Sequence, residues 1–254
     1  MDLRIGILGP LEVRVGFGEP VQVVGPRLRA LVIRLAMEPD RVVLAGQLID
    51  AVWDSEPPAD ATGALQSLVS RLRRLLPDVV ESRATGYRLA VDPEAVDWVR
   101  FERLAQAGRD ELRRDPARAR ELLCDALALW RGPALADVTI ARFAGAAVAR
   151  LEELRLAATE DRIEAELLAG VGDRLVAELD ELVTAHPLRE RLSGQLVRRR
   201  SPSPRPPAGW RGRRPSRWPT CPGPTCGRRS PASSAATTTS PGSPRCWAAP
   251  GSSR

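Results

Sequence analysis

Along this chain the spacing of apolar residues changes several times, and each change marks an element. RIGILGPLEVRV (4–15) and VQVV (21–24) are β-branched and apolar runs broken by Gly6, Gly9, Pro10, Gly16 and Gly18, a pattern that predicts short antiparallel strands with turns at the glycines and proline. From about Arg27 to Met37 the period becomes helical: Leu28, Leu31, Val32 and Leu35 share a face, Gly25-Pro26 opens the helix and Pro39-Asp40 closes it. A short extended piece, Arg41 to Leu44, leads to a second helix from Gly46 to Trp53 that turns Leu48, Ile49, Val52 and Trp53 inward. Pro57-Pro58 prevents it from running on, and a third helix is predicted from Ala59 to Leu76 with Asp60 or Thr62 as cap and Pro77 as stop. VVESRATGYRLAV (79–91) then reads as a hairpin, two β-prone runs around a polar tip with a glycine. Strands, three helices and a terminal hairpin make a winged helix, in which the third helix enters the major groove of DNA and the hairpin reaches the neighbouring minor groove or backbone.

From Val96 onward the period stays helical. FERLAQAGRDELRR (101–114), PARARELLCDALALW (116–130), AVARLEELRLAATEDRIEAELLAG (147–170) and DRLVAELDELVTAHP (173–187) are separated by turns such as Arg131-Gly132-Pro133, and a last helix carries Leu188, Leu192, Leu196 and Val197. Helix pairs with short Gly or Pro turns suggest a tetratricopeptide-like array, whose concave surface suits protein partners or self-association. The expected fold class is therefore an α+β winged helix followed by an all-α helical domain. The arginines and glutamates of 150–166 read most simply as a solvated face with i,i+4 pairs.

The third helix is the one whose polar face suggests chemistry. Leu65, Leu68, Val69, Leu72, Leu75 and Leu76 fall on one stripe, while Gly63, Gln66, Ser67, Ser70, Arg71, Arg73 and Arg74 fill the rest without an acid among them. Such a surface can approach a phosphate backbone and still offer donors to base edges, although an ordinary amphipathic helix with a solvated basic face has the same pattern. Arg71 and Arg73 lie on opposite flanks, so they cannot both address one base.

Charge and chemistry narrow the class. Residues 1–197 hold 26 arginines against 32 acids, whereas 198–254 hold 12 arginines and no acid, so the body is acidic and the tail basic. Lysine is absent, which points to a GC-rich coding sequence and rules out a Walker A loop. One histidine, His186, and no serine or cysteine elbow argue against an enzyme and against a cofactor. Cys124 is expected as a buried small hydrophobe on an apolar helix face, and Cys221, Cys226 and Cys246 lack metal-ligand spacing. No apolar run approaches the ~18 residues of a membrane span and no leader pattern opens the chain, so a cytoplasmic location away from the membrane is expected.

Several stretches also carry a resemblance. GILGPLEVR, GPRLRALVIRLA, LIDAVWDSEPP, LQSLVSRLRRLL and GYRLAVDP, in that order, resemble the OmpR-type winged helix of the Streptomyces antibiotic regulatory protein family, and LCDALALWRGPALADV, ARLEELRLAATEDRIEAEL and LVAELDELVTAHPLRERLSGQL are similar to the bacterial transcriptional activator domain that follows it there. The resemblance covers about Met1 to Val197. It implies a DNA-binding domain over 1–92, an activator domain over 93–197, and a sequence-specific transcription activator of a secondary-metabolite gene cluster. Such a protein binds double-stranded DNA at repeated promoter sites, contacts RNA polymerase and self-associates. By position, Gln66, Ser67, Ser70, Arg71 and Arg73 stand where family members face the major groove, and Arg74 at a phosphate. Arg83 stands where related proteins insert an arginine into the minor groove, and the Tyr87 hydroxyl points to phosphate unless the ring packs in the core. Trp53 is expected in the core rather than at a phosphate. The alternative from another class is a helical-repeat interaction module of a signalling protein whose winged helix no longer binds DNA.

Residues 198–254 contain no Leu, Ile, Val, Met, Phe, Tyr, Asp or Glu, yet 12 of the 23 prolines, and cannot build a core. We read this tail as disordered and as the product of a shifted reading frame in GC-rich DNA. The competing reading is a basic arm that adds nonspecific DNA affinity.

Overall fold

The computed structural model describes residues 3–16, 18–138, 142–170 and 175–200. Of the tail expected to be disordered from 198, residues 198–200 are instead helical, with Arg198 paired to Glu164 and Arg200 to Asp180, while the part beyond Arg200, with Cys221, Cys226 and Cys246, lies outside the described residues. Strands β1 (Leu3–Gly6) and β2 (Glu12–Val15) pair antiparallel, with Ile5 opposite Val13. The VQVV run forms no strand: Val21 N donates to Val13 O at 2.7 Å, and the chain then turns through Gly25 at φ 99° into the next helix. Helices α1 (Pro26–Ala36), α2 (Ala45–Trp53) and α3 (Ala61–Leu75) follow, with strand β3 (Val42–Leu44) between the first two. Strands β4 (Val80–Arg83) and β5 (Gly86–Leu89) close the winged helix in an antiparallel sheet of order β3-β5-β4. Gly86 is required there, because a Cβ on it would lie 2.0 Å from the Val43 carbonyl oxygen.

A 3-10 turn (Pro93–Ala95) leads into α4 (Asp97–Glu111), α5 (Pro116–Leu127), α6 (Arg142–Leu168), α7 (Leu175–Ala185) and α8 (Glu190–Arg200). The apolar faces of α4, α5 and the first part of α6 share a core with the winged helix: one buried cluster contains Ile5, Leu31, Leu72, Phe101, Leu123 and Leu151. The Phe101 and Trp130 rings meet edge to face at 5.4 Å within this region. A second, smaller cluster of Ile163, Leu175, Leu179 and Leu192 lies under α7 and α8. Helix α6 serves both clusters, which is why its buried residues, Leu151 and Ala158 toward one and Ile163 toward the other, leave no single apolar stripe. Buried charges at the α4–α6–α8 contact are paired: Asp161 accepts from Arg109 at 2.8 Å and from Arg191 at 2.5 Å. Burial pushes the neighbouring Glu160 carboxyl above its ordinary range against the pull of Arg189 and Arg191.

Two expectations for apolar residues need correction. Leu188 is not on the last helix, because Pro187 holds a turn that puts Leu188 at its tip, 94% exposed. Cys124 is half-buried on α5 rather than enclosed.

The junction between the winged helix and the helices runs through backbone groups of residues 7–11. The Asp97 carboxylate accepts from Ile7 N at 2.8 Å and from Leu8 N at 3.0 Å, and Arg131 Nη2 lies 3.1 Å from it. Burial pushes the Asp97 carboxyl upward, opposed by those two amides and by Arg131. Arg131 N donates to Leu8 O at 2.8 Å and Leu135 N to Ile7 O at 2.9 Å. Gly9, at φ 144°, allows the close approach, since a Cβ there would lie 3.1 Å from the Arg131 carbonyl carbon. Asp137 completes the seam by accepting from Leu11 N at 2.6 Å and from Arg29 of α1 at 2.9 Å.

Asp97→Ala strips two partly buried amides of their acceptor, which costs about 1 to 3 kcal/mol for each unsatisfied group. Calorimetry of the variant is expected to show Tm lowered by roughly 5 to 10 °C in one transition common to the winged helix and α4–α6. Two separated transitions in the parent protein would show instead that the halves unfold independently.

Candidate nucleic-acid interface

Helix α3 is delimited by local chemistry. Asp60 caps it by accepting from Gly63 N at 2.8 Å, after the exposed Pro57-Pro58 segment, and Pro77 follows its C-cap Leu76. Leu65, Leu68, Val69, Leu72 and Leu76 are buried against α1, α2 and the sheet. Leu75 departs from the expected stripe: it is 38% exposed, because it lies at the stripe's edge where α1 does not cover it.

The side of α3 away from the core presents Gln66, Ser67, Ser70, Arg71 and Arg74 to solvent. The Ser67 hydroxyl donates to Gly63 O at 3.0 Å, which leaves its oxygen lone pairs outward. Among the described residues neither Arg71 nor Arg74 has a carboxylate partner. Both line a 240 Å³ hollow with Gln22, Val24, Leu28 and Leu75, where the start of α1 meets the last turns of α3. Two unneutralised guanidinium groups a turn apart repel each other and favour an anion between or beside them.

Arg73 lies on the opposite flank and is engaged elsewhere. Its Nε donates to Val80 O at 2.9 Å and its Nη2 to Ser82 Oγ at 2.8 Å, so it straps the last turns of α3 to β4. The hairpin itself is charged on both strands. Glu81 pairs with Arg83 on its own strand and with Arg88 directly across on β5 at 2.8 Å, and Arg88 also reaches Asp40 at 3.1 Å. Ala45 N donates to Thr85 O at 3.0 Å, which holds the hairpin tip to the start of α2. Tyr87 lies opposite Val43 and Ser82, its ring half-buried against the core, and no described residue hydrogen-bonds its hydroxyl. Trp53 is buried, with the Arg27 guanidinium 5.9 Å from its ring centroid.

Gln66, Ser67, Ser70, Arg71 and Arg74 thus share one open face; Arg83 is on the adjoining hairpin, paired; Arg73 and Tyr87 are turned toward protein. The sequence pattern had not singled out Glu81, Ser82 or Arg88, and gave Asp40 only the role of closing α1. The signal for one pair was present: counting outward from the two-residue loop Ala84-Thr85 puts Glu81 opposite Arg88.

Comparison with known proteins bears on this arrangement. The family described as "Transcriptional regulatory protein, C terminal" matches residues 18–89, and "Bacterial transcriptional activator domain" matches 96–202. Regulatory protein DnrI of Streptomyces peucetius is 36% identical over 212 residues, which cover 77% of this chain and 76% of that protein. The chain belongs to the Streptomyces antibiotic regulatory protein family. Another member, transcriptional regulator RedD of Streptomyces coelicolor, is 39% identical over 204 residues, covering 77% of this chain but 58% of RedD. The solved structure of Mycobacterium tuberculosis EmbR in complex with a low affinity phosphopeptide superposes with a TM-score of 0.73 at 33% identity, covering 77% of this chain and 54% of EmbR. The chain therefore spans little more than half the length of RedD and EmbR. It shares with EmbR the winged helix followed by a helical domain, and family membership places it among transcription regulators rather than enzymes. No described helix is long and apolar enough to cross a membrane.

In the free protein Glu81 occupies Arg83 and Arg88, and it would compete with any phosphate brought to the hairpin. Glu81→Gln is expected to raise affinity for duplex DNA about two- to tenfold at low salt, with the gain shrinking as ionic strength rises. Unchanged or weaker binding in a titration against salt would remove the hairpin arginines from the interface.

Proposed function

We propose that this chain is a sequence-specific DNA-binding regulator that activates a secondary-metabolite gene cluster. In this reading residues 1–92 bind DNA, and the helices of 93–197 support self-association on repeated promoter sites and contact with RNA polymerase in the cytoplasm. The observation that carries it is the open face of α3: Arg71 and Arg74 without acidic partners, next to Gln66, Ser67 and Ser70 and without an acid on that face. Gln66 and Ser70 have the donors and acceptors to read base edges, while a guanidinium can read guanine or hold phosphate. Arg83, on the adjoining hairpin, is the residue assigned in this reading to the neighbouring minor groove once it leaves Glu81.

The winged helix is well built for such work. Its core is filled by Leu28, Leu31, Leu48, Leu65 and Leu72, all almost fully buried, so α3 is presented on a rigid support. This favours a working DNA-binding domain over one retained only as a scaffold for the helical repeats. The expected activity is tested by selecting bound duplexes from a random-sequence pool with the full chain. A common motif, recovered in repeats near promoters of the chain's own gene neighbourhood, is the expected result; equal binding of all sequences would overturn it.

On the selected site, Arg71→Ala is expected to weaken specific binding by roughly 1 to 3 kcal/mol and to flatten the preference at one base pair, if Arg71 makes a bidentate base contact. Equal loss on every sequence, with a shallower salt dependence, would assign Arg71 to the backbone instead.

A further inference from the structure

We propose that Arg73 is a positioning residue that sets the distance and angle between the reading face of α3 and the hairpin, and so fixes how far from the major-groove motif the flanking minor groove must lie. The inference rests on the DNA-binding reading above. Its basis is that the guanidinium joins the two elements at both ends of one short arc. Nε holds the Val80 carbonyl and Nη2 the Ser82 hydroxyl, at 2.9 and 2.8 Å, and Ser82 immediately precedes Arg83.

The Val80 carbonyl and the Ser82 hydroxyl, two residues apart on β4, both meet the one guanidinium and so both face the last turns of α3. Val80 is buried and Ser82 exposed, so Arg73 runs along the strand from the core edge outward. Among the described residues no other hydrogen bond or ion pair links α3 to the hairpin, whose ties on its far side run through the β3 ladder, Asp40 and Ala45. Without Arg73 the outer half of β4 would keep its pairing with β5 but lose its polar attachment to the helix. An arginine suits this role because its planar fork meets two acceptors at a fixed spacing, which a lysine ammonium does not.

A residue of this kind leaves a signature in binding that neither a base contact nor a phosphate contact produces. On the selected site, the parent chain should distinguish AT-rich from GC-rich flanks next to the motif. Arg73→Gln is expected to cut that flank discrimination at least about threefold, while base preferences inside the motif stay as they were. Ser82→Ala, which leaves Arg73 in place, is expected to cause part of the same loss, and the double variant is expected to lose no more than Arg73→Gln alone. In the free proteins, amide exchange at Ser82 and Arg83 is expected to quicken in both variants, a reading that needs no DNA. Loss of preference at one base pair of the motif in Arg73→Gln would instead make Arg73 a base contact. Uniform loss with a shallower salt slope and unchanged exchange would make it a phosphate contact. Either result, or an additive double variant, overturns the proposal. A parent chain that selects no motif overturns the DNA-binding reading itself, and that outcome is distinguished by its appearing before any variant is made.

Discussion

The amides of Ile7 and Leu8 tie the winged helix to the helices that follow it. They belong to the short run after β1, and they end on a carboxylate of α4, while the carbonyls of the same residues accept from Arg131 and Leu135 beyond α5. A two-stranded hairpin alone is marginal in water, and this one is stable because its outer groups are satisfied by the helical part. Arg29 on α1 and Trp98 on α4 extend the same seam, the latter by donating to Ala36 O at 2.9 Å. The winged helix and the first helices that follow it therefore form one hydrophobic core, and α1, which supports α3, is fixed from the side of the activator helices. A second path runs from α6 to α2, where Arg142 lies 3.6 Å from Asp54, so what those helices bind can bear on α3 through α1 and through α2.

Within that support α3 divides its sides sharply. One side is almost wholly buried. Opposite it lies a row of small, amide and guanidinium side chains with no acid, and the two flanks differ: Arg71 faces an open hollow, Arg73 faces β4. The division explains how a chain with an acidic body can still present a local anion-binding surface. Of the carboxylates near it, Asp60 is committed to the helix cap and Glu81 to two arginines of the hairpin. Net charge says little about such a protein; the placement of the carboxylates decides it.

Much of this was legible in the chain. The helical periods of α1, α2 and α3 were clear because each buries a stripe of Leu, Ile and Val bounded by Pro, Gly or Asp, and those signals are local. The hairpin was legible for the same reason. What escaped notice depends on partners far away in sequence. Asp97 and Asp137 look like ordinary surface acids until their bonds to Ile7, Leu8 and Leu11, some 90 to 126 residues distant, are seen. A helical wheel assigns Arg73 to a flank but cannot say that β4 occupies that flank, and it puts Leu75 on the apolar stripe without knowing how far α1 reaches. VQVV has strand propensity, but after the one bond from Val21 N to Val13 O on β2 the chain turns toward α1 and no ladder forms, so tertiary context overrides the propensity.

The central claim is that α3 and the hairpin form one DNA interface reading two adjacent grooves. Methylation interference on the selected duplex tests it most directly, because methyl groups at guanine N7 block the major groove and those at adenine N3 block the minor groove. The account predicts N7 interference across a short run of base pairs and N3 interference only in the flank beside it. Interference confined to a single groove, or N3 interference scattered without relation to the N7 run, would contradict it.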